Sequence, residues 1–455
     1  MAVIESDVVV AGGGIGGLTA ALTAQQAGAQ VVLLEKAPQI GGSAAASGGT
    51  VWCAADLASW LSEHPNGDPA LAQAQLDGFR EGIEWLRQQG VPAVEQPPAS
   101  PYRFERVVYA LSPDAAWAMD ALAERLTEGG GSILTDTALR DIRLTARGAV
   151  GSVRALGPDG FVDVTAPAVI LATGGFQGSP ELRARYMGRW SDRMVLRAQA
   201  QSTGDGLLAA LGAGAATAGP FSRFYGHMMP APPAVVGLHN FAEVKPDFSE
   251  WAIFVNLRGE RFDDEFLGDA VTVHAAIHQD EAIVFLIFDD AIRSTYAAKA
   301  GVTRLQSIRQ AGGEIAEEPS LEALAAAMAT YWGVRQDRLL ATLQGYNAAA
   351  GAGDPGALSI PKSGGLLPIE TPPFYAIRCL PGITFTYGGA RVNERAEVIN
   401  TAGQPIMGLY AAGADAGGVY TRGYTGGLSL GLGFGRIAGK EAAACATTQD
   451  QHPDS

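Results

Sequence analysis

A chain of 455 residues is long enough to bury two cores, and 47% apolar with 17% charged residues is the composition of a globular protein. A diffuse net charge of −15 disfavours binding to nucleic acid or an anionic membrane, and no apolar run is long enough to span a bilayer. Three separated cysteines (Cys53, Cys379, Cys445) make no disulfide framework, C-x-x-C or haem-attachment motif. The first strand begins within seven residues of Met1, which leaves no room for a signal peptide and sets a cytoplasmic expectation.

The first element is an apolar strand running into VVVAGGGIGG at 8–17, then an Ala-rich helix to about Ala27 and a second strand ending near Lys36. Gly12, Gly14 and Gly17 make G-x-G-x-x-G in the strand–turn–helix setting that binds a dinucleotide. Gly12 allows the tight turn, Gly14 lets a pyrophosphate approach the backbone, and Gly17 lets the helix sit close to the sheet. The helix N-terminus, with Ile15 and Gly16 in its first turn, offers N–H groups to phosphates. Glu35 lies 18 residues after Gly17, where a carboxylate binds a ribose 2′-OH and disfavours a 2′-phosphate. Lys36 follows it. A second flexible, hydroxyl-bearing loop comes next, with Gly42, Ser43, Ser47, Gly48 and Gly49. A nicotinamide has no obvious need of that loop, whereas a flavin reaches past the first strand and needs backbone and hydroxyl partners there.

At this loop the chain resembles the fumarate reductase/3-ketosteroid dehydrogenase superfamily of FAD flavoproteins, whose members carry EK-x-x-x-x-GG-S-x-x-x-SGG. The resemblance recurs along nearly the whole chain. Val169–Gly175, with Ala172, Thr173 and Gly174, is similar to the second FAD-contacting strand and turn. Ser202–Gly206, with Asp205, is similar to the T-G-D-G helix start. Asn256–Glu265 matches N-x-x-G-x-R-F-x-[ND]-E, and Gly408–Gly413, followed by Ala414, matches the last FAD-binding turn.

The resemblance implies an α/β fold: a Rossmann-type, glutathione reductase-like FAD-binding domain with an inserted α+β substrate cap. We expect the FAD-binding domain to be split into 1–222 and 376–455, with the cap at 223–375. The first part is expected to hold a helix near Ala115–Leu126 and strands around 133–165, turning at Gly157-Pro158-Asp159-Gly160. The cap is expected to hold strands at Ala252–Asn256 and Ala282–Phe288 and a helix at Ser320–Tyr331. The Gly/Pro-rich stretch 351–375 reads as a return linker with hinge character, and the polar tail from Thr447 as frayed.

Residues 426–439 read as a glycine turn opening the final helix. In the superfamily this helix aims its N-terminus at the flavin, so N–H groups near Leu428, Ser429 and Leu430 would stabilise negative charge on the reduced ring. The glycines would also permit close helix packing. Covalent flavin attachment in succinate dehydrogenases uses a His whose place here is Gly42, so FAD is expected to be held non-covalently.

The substrate class turns on Gly417–Gly427. Fumarate reductases clamp carboxylates with the His and Arg of G-G-V-H-G-x-N-R-x-G-G; here Tyr420 and Tyr424 stand in those places. Losing a bidentate Arg is not conservative. Arg422 would substitute only from a shifted position. A neutral phenol instead suits hydrogen bonding to a ketone oxygen that gains charge. Ketosteroid dehydrogenases carry a Tyr matching Tyr424, which would polarise the carbonyl, while Tyr420 would support it or act as base. Arg261 matches the proton-donating Arg of fumarate reductases or forms an ion pair with Asp264 or Glu265. Asp269 stands where Δ1-ketosteroid dehydrogenases place their proton-abstracting Tyr. His227 stands where fumarate reductases carry a substrate-contacting His. His274 and His278 lie four apart, with no third metal ligand evident. The expectation is an FAD-dependent dehydrogenase desaturating a cyclic ketone, 3-ketosteroid or smaller, with an unknown electron acceptor. The alternative is reduction of an activated alkene, an enoate or enone.

Overall fold

The computed structural model describes residues 3–97, 104–296 and 301–450. Two compact units emerge: Met1–Ser179, Gln199–Arg223 and Phe385–Ser455 form the first, and Pro180–Ala198 with Phe224–Thr384 form the second.

The first unit is built on a six-stranded sheet in the order Glu397–Ile399, Pro405–Ala411, Ala168–Leu171, Val8–Ala11, Val31–Leu34, Ser132–Leu134. Four of the five pairings are parallel, with Val8 opposite Val31 and Ala168 opposite Val8. Strands such as VVVA and VVLL are buried at every position, which a parallel sheet covered on both faces requires. A four-stranded sheet pairs Val3–Glu5, Gly160–Thr165, Val150–Gly157 and Ala138–Leu144, and Gly157 faces Gly160 across the expected turn. The helix expected near 115 runs Ala115–Glu128, capped by Asp114.

The first helix, Ile15–Gln26, and the last, Gly427–Asp450, pack together along a glycine stripe. A Cβ on Gly435 would lie 2.5 Å from Gly16 O, and one on Gly439 would lie 2.4 Å from Ala20 O. The expected fraying from Thr447 is not seen up to Asp450, because the helix continues; Gln451–Ser455 lie outside the described residues.

The second unit holds a sheet ordered Val195–Leu196, Phe374–Thr386, Val284–Asp289, Ile253–Asn256, with Phe224–Pro230 and Ile315–Glu318 also paired to Phe374–Thr386. Its helices include Leu321–Trp332 and Gln336–Ala352. The chain passes between units at Phe385 rather than 376, because Phe374–Thr386 is one uninterrupted strand. Pro180–Ala198 joins the second unit because Val195–Leu196 pairs with that strand. The stretch 351–375 is tied to this unit by hydrogen bonds. Lys362 Nζ donates to Ala252 O at 2.5 Å, and Ile369 exchanges hydrogen bonds with the Asn347 side chain at 2.7 and 2.9 Å.

Candidate active site

The nucleotide turn is built by close backbone contact. Gly12 has φ +109°, and a Cβ there would lie 2.1 Å from Ala172 O; on Gly17 it would lie 1.7 Å from Gly12 O. A Cβ on Gly14, by contrast, would meet nothing nearer than Gly41 O at 3.9 Å, so the space before the helix N-terminus is open. No side chain caps that terminus, which leaves the N–H groups of Ile15, Gly16 and Gly17 for an anionic ligand. Glu35 is held by Gly13 N–H and Ala37 N–H, both donating at 2.7 Å, one to each carboxylate oxygen. Each oxygen keeps a second lone pair for a ribose hydroxyl. Burial raises the Glu35 pKa against these hydrogen bonds.

The loop after Glu35 contributes mainly backbone. Gly41, Gly42 and Gly49 take positive φ, and Gly48 has open space where a Cβ would stand. Ser43 Oγ accepts from Gln199 N–H at 3.0 Å and retains its own proton to donate. Several expected cofactor contacts go elsewhere. Ser47 Oγ–H closes its own turn onto Ala44 O at 2.7 Å. Lys36 Nζ pairs with Asp205 at 2.8 Å and donates to Thr203 at 2.5 Å, so the two charges neutralise each other. Thr173 donates its N–H and hydroxyl to Asp415 at 2.5 and 2.9 Å. Asp415 also accepts from Gly175 N–H at 3.3 Å, and burial raises its pKa. This buried acid, next to Gly413 and Ala414, draws the Ala172–Gly175 turn toward the Gly413 turn. The sequence reading passed over it, although its place after Gly413–Ala414 was a signal.

At the final helix, Tyr424 Oη accepts from Gly427 N–H at 2.8 Å and so caps the N-terminus. Leu430 N–H is taken by Gly426 O at 3.1 Å. That corrects the expectation for Leu430 and leaves the first-turn N–H groups of Leu428 and Ser429 to face charge. Around the half-buried Tyr424 stand Trp52 (ring centroids 5.1 Å apart), Phe385 (5.9 Å) and Tyr420 (6.3 Å).

Tyr420 is placed differently. It is 1% exposed, donates to Gly426 O at 2.6 Å and accepts from Gln75 Nε2 at 2.6 Å. Burial raises its pKa well above that of an ordinary phenol. His64 stacks on it at 4.9 Å, and its Nε2 is bonded to Thr425 Oγ1 at 3.1 Å. Burial lowers the His64 pKa to about 3. Gln75 and His64 thus brace the 417–427 loop from helix Pro69–Gln88 and the end of helix Leu57–Glu63. Neither was found in the sequence, since their partners lie more than 300 positions away. Arg422, the one cation near the lost clamp in sequence, donates to Ser62 O at 2.9 Å.

In the second unit, Arg261 makes a bidentate pair with Glu265 (Nε–Oε1 3.0 Å, Nη2–Oε2 2.6 Å) and donates to Ile360 O and Asp263 O at 2.7 and 3.2 Å. The two side chains are 3% and 1% exposed, the ion pair with Glu265 being one of the two roles expected for Arg261. His227 Nδ1 lies 2.7 Å from Asp269 Oδ1, and its Nε2 lies 3.0 Å from Tyr225 Oη. His274 Nε2 lies 2.7 Å from Phe224 O.

Residues 7–430 match the family model described as FAD binding domain. The chain belongs to this family. It is a flavoprotein whose cofactor is FAD. It is 29% identical to an NADH:acrylate oxidoreductase of Vibrio harveyi over 96% of this chain and 50% of that protein. The chain therefore spans about half the length of that relative. It is 28% identical to 4-oxocyclohexanecarboxylate 2-dehydrogenase of Sinomonas cyclohexanicum, over 98% of this chain and 94% of that one. Its fold matches a 3-ketosteroid-Δ4-(5α)-dehydrogenase of Rhodococcus jostii with a TM-score of 0.75 at 24% identity, covering 97% of each chain.

The flavoprotein's own residues fit FAD: an open glycine turn at a helix N-terminus, a carboxylate with spare lone pairs, and two N–H groups at a second helix N-terminus. Acid precipitation is expected to leave the flavin in the supernatant, because Gly42 has no side chain to bond it. Gly17→Ala, which drives a methyl into Gly12 O, is expected to purify nearly free of FAD. A yellow pellet, or a full flavin complement in the variant, would contradict these expectations. No described helix is long and apolar enough to cross a membrane.

Proposed function

We propose that the chain is an FAD-dependent dehydrogenase that introduces a C=C bond α,β to the carbonyl of a cyclic ketone, a 3-ketosteroid or a smaller cyclohexanone-type ring. The observation that carries this reading is the hydrogen bond from Gly427 N–H to Tyr424 Oη at 2.8 Å. A phenol whose oxygen rests on a helix N-terminus feels the positive end of the dipole and becomes a stronger donor to an oxygen gaining charge. Trp52, Phe385 and Tyr420 surround it with aromatic rings. Tyr420 acts by holding Gly426 in place, and Arg261 by holding its own unit together. FAD, when bound, accepts the hydride from the β-carbon. The cyclohexane-ring relative in Sinomonas supports the substrate class.

The acrylate-reducing relative favours a second reading, reduction of an activated alkene by the same centre run in reverse. Anaerobic mixing separates the two. Saturated cyclic ketones are expected to bleach the oxidised flavin, and fumarate or acrylate to leave the reduced flavin unchanged. Fast reoxidation by either acid, with no bleaching by any ketone, would overturn the dehydrogenase reading.

A further inference from the structure

Residues 183–197 carry five arginines (Arg183, Arg185, Arg189, Arg193, Arg197) and one acid, Asp192, in a chain whose net charge is −15. We propose that the loop 188–193 and the loop at Glu281, both in the second unit, form a binding site for a free phosphate-bearing anion of the pyrophosphate type. The site is independent of the flavin chemistry proposed above.

Two of those arginines are structural. Arg183 is buried and donates to Asp192 O and Met194 O, both at 2.9 Å, and Arg197 donates to Thr384 Oγ1 at 3.0 Å. Arg183, together with the Ser191 hydroxyl donating to Gly188 O at 2.6 Å, braces the loop. The braced loop holds Trp190 at φ +73°, in the left-handed backbone that a bulky side chain avoids. The second loop repeats this at Glu281 (φ +58°) and Ala282 (φ +55°). Among the described residues, three of the six non-glycine positions with positive φ are therefore in these two loops, which the Arg193 Nη1–Glu281 Oε2 pair joins at 2.8 Å. Strained backbone that its surroundings hold in place gathers at ligand clamps and active sites.

The exposed side chains supply the positive charge. The guanidinium carbons of Arg189 and Arg193 lie 4.3 and 4.6 Å from the centroid of the Trp190 ring. Arg193 is drawn to Glu281, and Arg185 to Glu181 at 2.9 Å, whereas Arg189 makes no ion pair among the described residues. His278 is exposed beside the loop, its Cε1 3.9 Å from where a Cβ on Gly188 would stand. Two guanidinium groups at one indole repel each other, and an anion bound to both removes that repulsion. The guanidinium fork matches phosphate oxygens bidentately, and pyrophosphate offers one phosphoryl group to each arginine. Binding it sets the anion in competition with Glu281 for Arg193. The negative charge of the rest of the chain opposes approach to an anionic membrane, which favours a free anion over a lipid headgroup.

The test is calorimetric titration of the FAD-loaded holoenzyme with inorganic pyrophosphate at low ionic strength. FAD fills the glycine turn, so that turn does not compete for the probe. One anion is expected to bind per chain, more weakly as salt is raised. Arg189→Gln is expected to weaken binding by roughly 10–100-fold, the scale of a lost hydrogen bond between charged groups. Its melting temperature should not change, because the side chain is exposed. Glu281→Gln is expected to tighten binding several-fold by releasing Arg193. No binding to the wild-type holoenzyme at millimolar pyrophosphate overturns the site, as does wild-type affinity in Arg189→Gln. Co-sedimentation with phosphatidate vesicles, without a response to pyrophosphate, overturns the free-anion assignment and moves the site to a lipid surface. No flavin reaction is read, so failure of the dehydrogenase reading leaves these outcomes unchanged.

Discussion

Tyr424→Phe is expected to slow flavin reduction by a cyclic ketone by roughly 10²–10³, or about 3–4 kcal/mol, the loss of one preorganised donor to a developing oxyanion. The ring and its contacts with Trp52 and Phe385 remain, so packing should change little. The variant also leaves Gly427 N–H without its acceptor at the helix N-terminus. Losing a cap costs on the order of 1 kcal/mol, too little to account for the rate. Tyr420→Phe makes the opposite prediction. It strips partners from buried Gly426 O and Gln75, at about 1–3 kcal/mol of stability, with a smaller change in rate per flavin-loaded molecule. Single-turnover reduction and thermal melts on both variants make the comparison. A Tyr424→Phe enzyme reduced at the wild-type rate would show this tyrosine to be packing alone.

Arg261→Met is expected to destabilise the second unit by about 3–5 kcal/mol, because it strands the Glu265 carboxylate in the core. Lys362, 3.9 Å from Glu265, is a poor replacement. Burial lowers the Lys362 pKa to about 8, and its ammonium is directed at Ala252 O. The double variant Arg261→Met/Glu265→Leu should recover part of the loss, since removing both charges also removes their desolvation cost. Urea unfolding measures the stability, and flavin reduction per folded, FAD-loaded chain measures the chemistry. A rate reduced a hundredfold in a fully stable Arg261→Met protein would restore Arg261 as the proton donor.

The nucleotide half was largely legible because its chemistry is local. Gly12, Gly14, Gly17 and Glu35 sit within one strand–helix–strand unit, and period and spacing alone place an acid at the strand tip. The glycines of the final helix were legible for the same reason, since residues four apart share a helical face. Side-chain commitments were not legible. Lys36 and Asp205 each look like a phosphate or ribose ligand, but they lie 169 positions apart and pair with each other. Tyr420 and Tyr424 are four residues apart, yet one is sealed between Gln75 and Gly426 and the other caps a helix beside Trp52 and Phe385.

By itself, then, the sequence determined the flavin turn, the family and the loss of the carboxylate clamp, because each depends on residue types at short fixed spacings. Only the tertiary structure decided that Arg261 pairs with Glu265 rather than Asp264, that Asp415 ties two turns together, and that Asp269 meets His227. The physical reason is that a hydrogen bond depends on which groups meet in a buried space. Asp415 meets Thr173 from 242 positions away and Asp269 meets His227 from 42, intervals that no local pattern encodes.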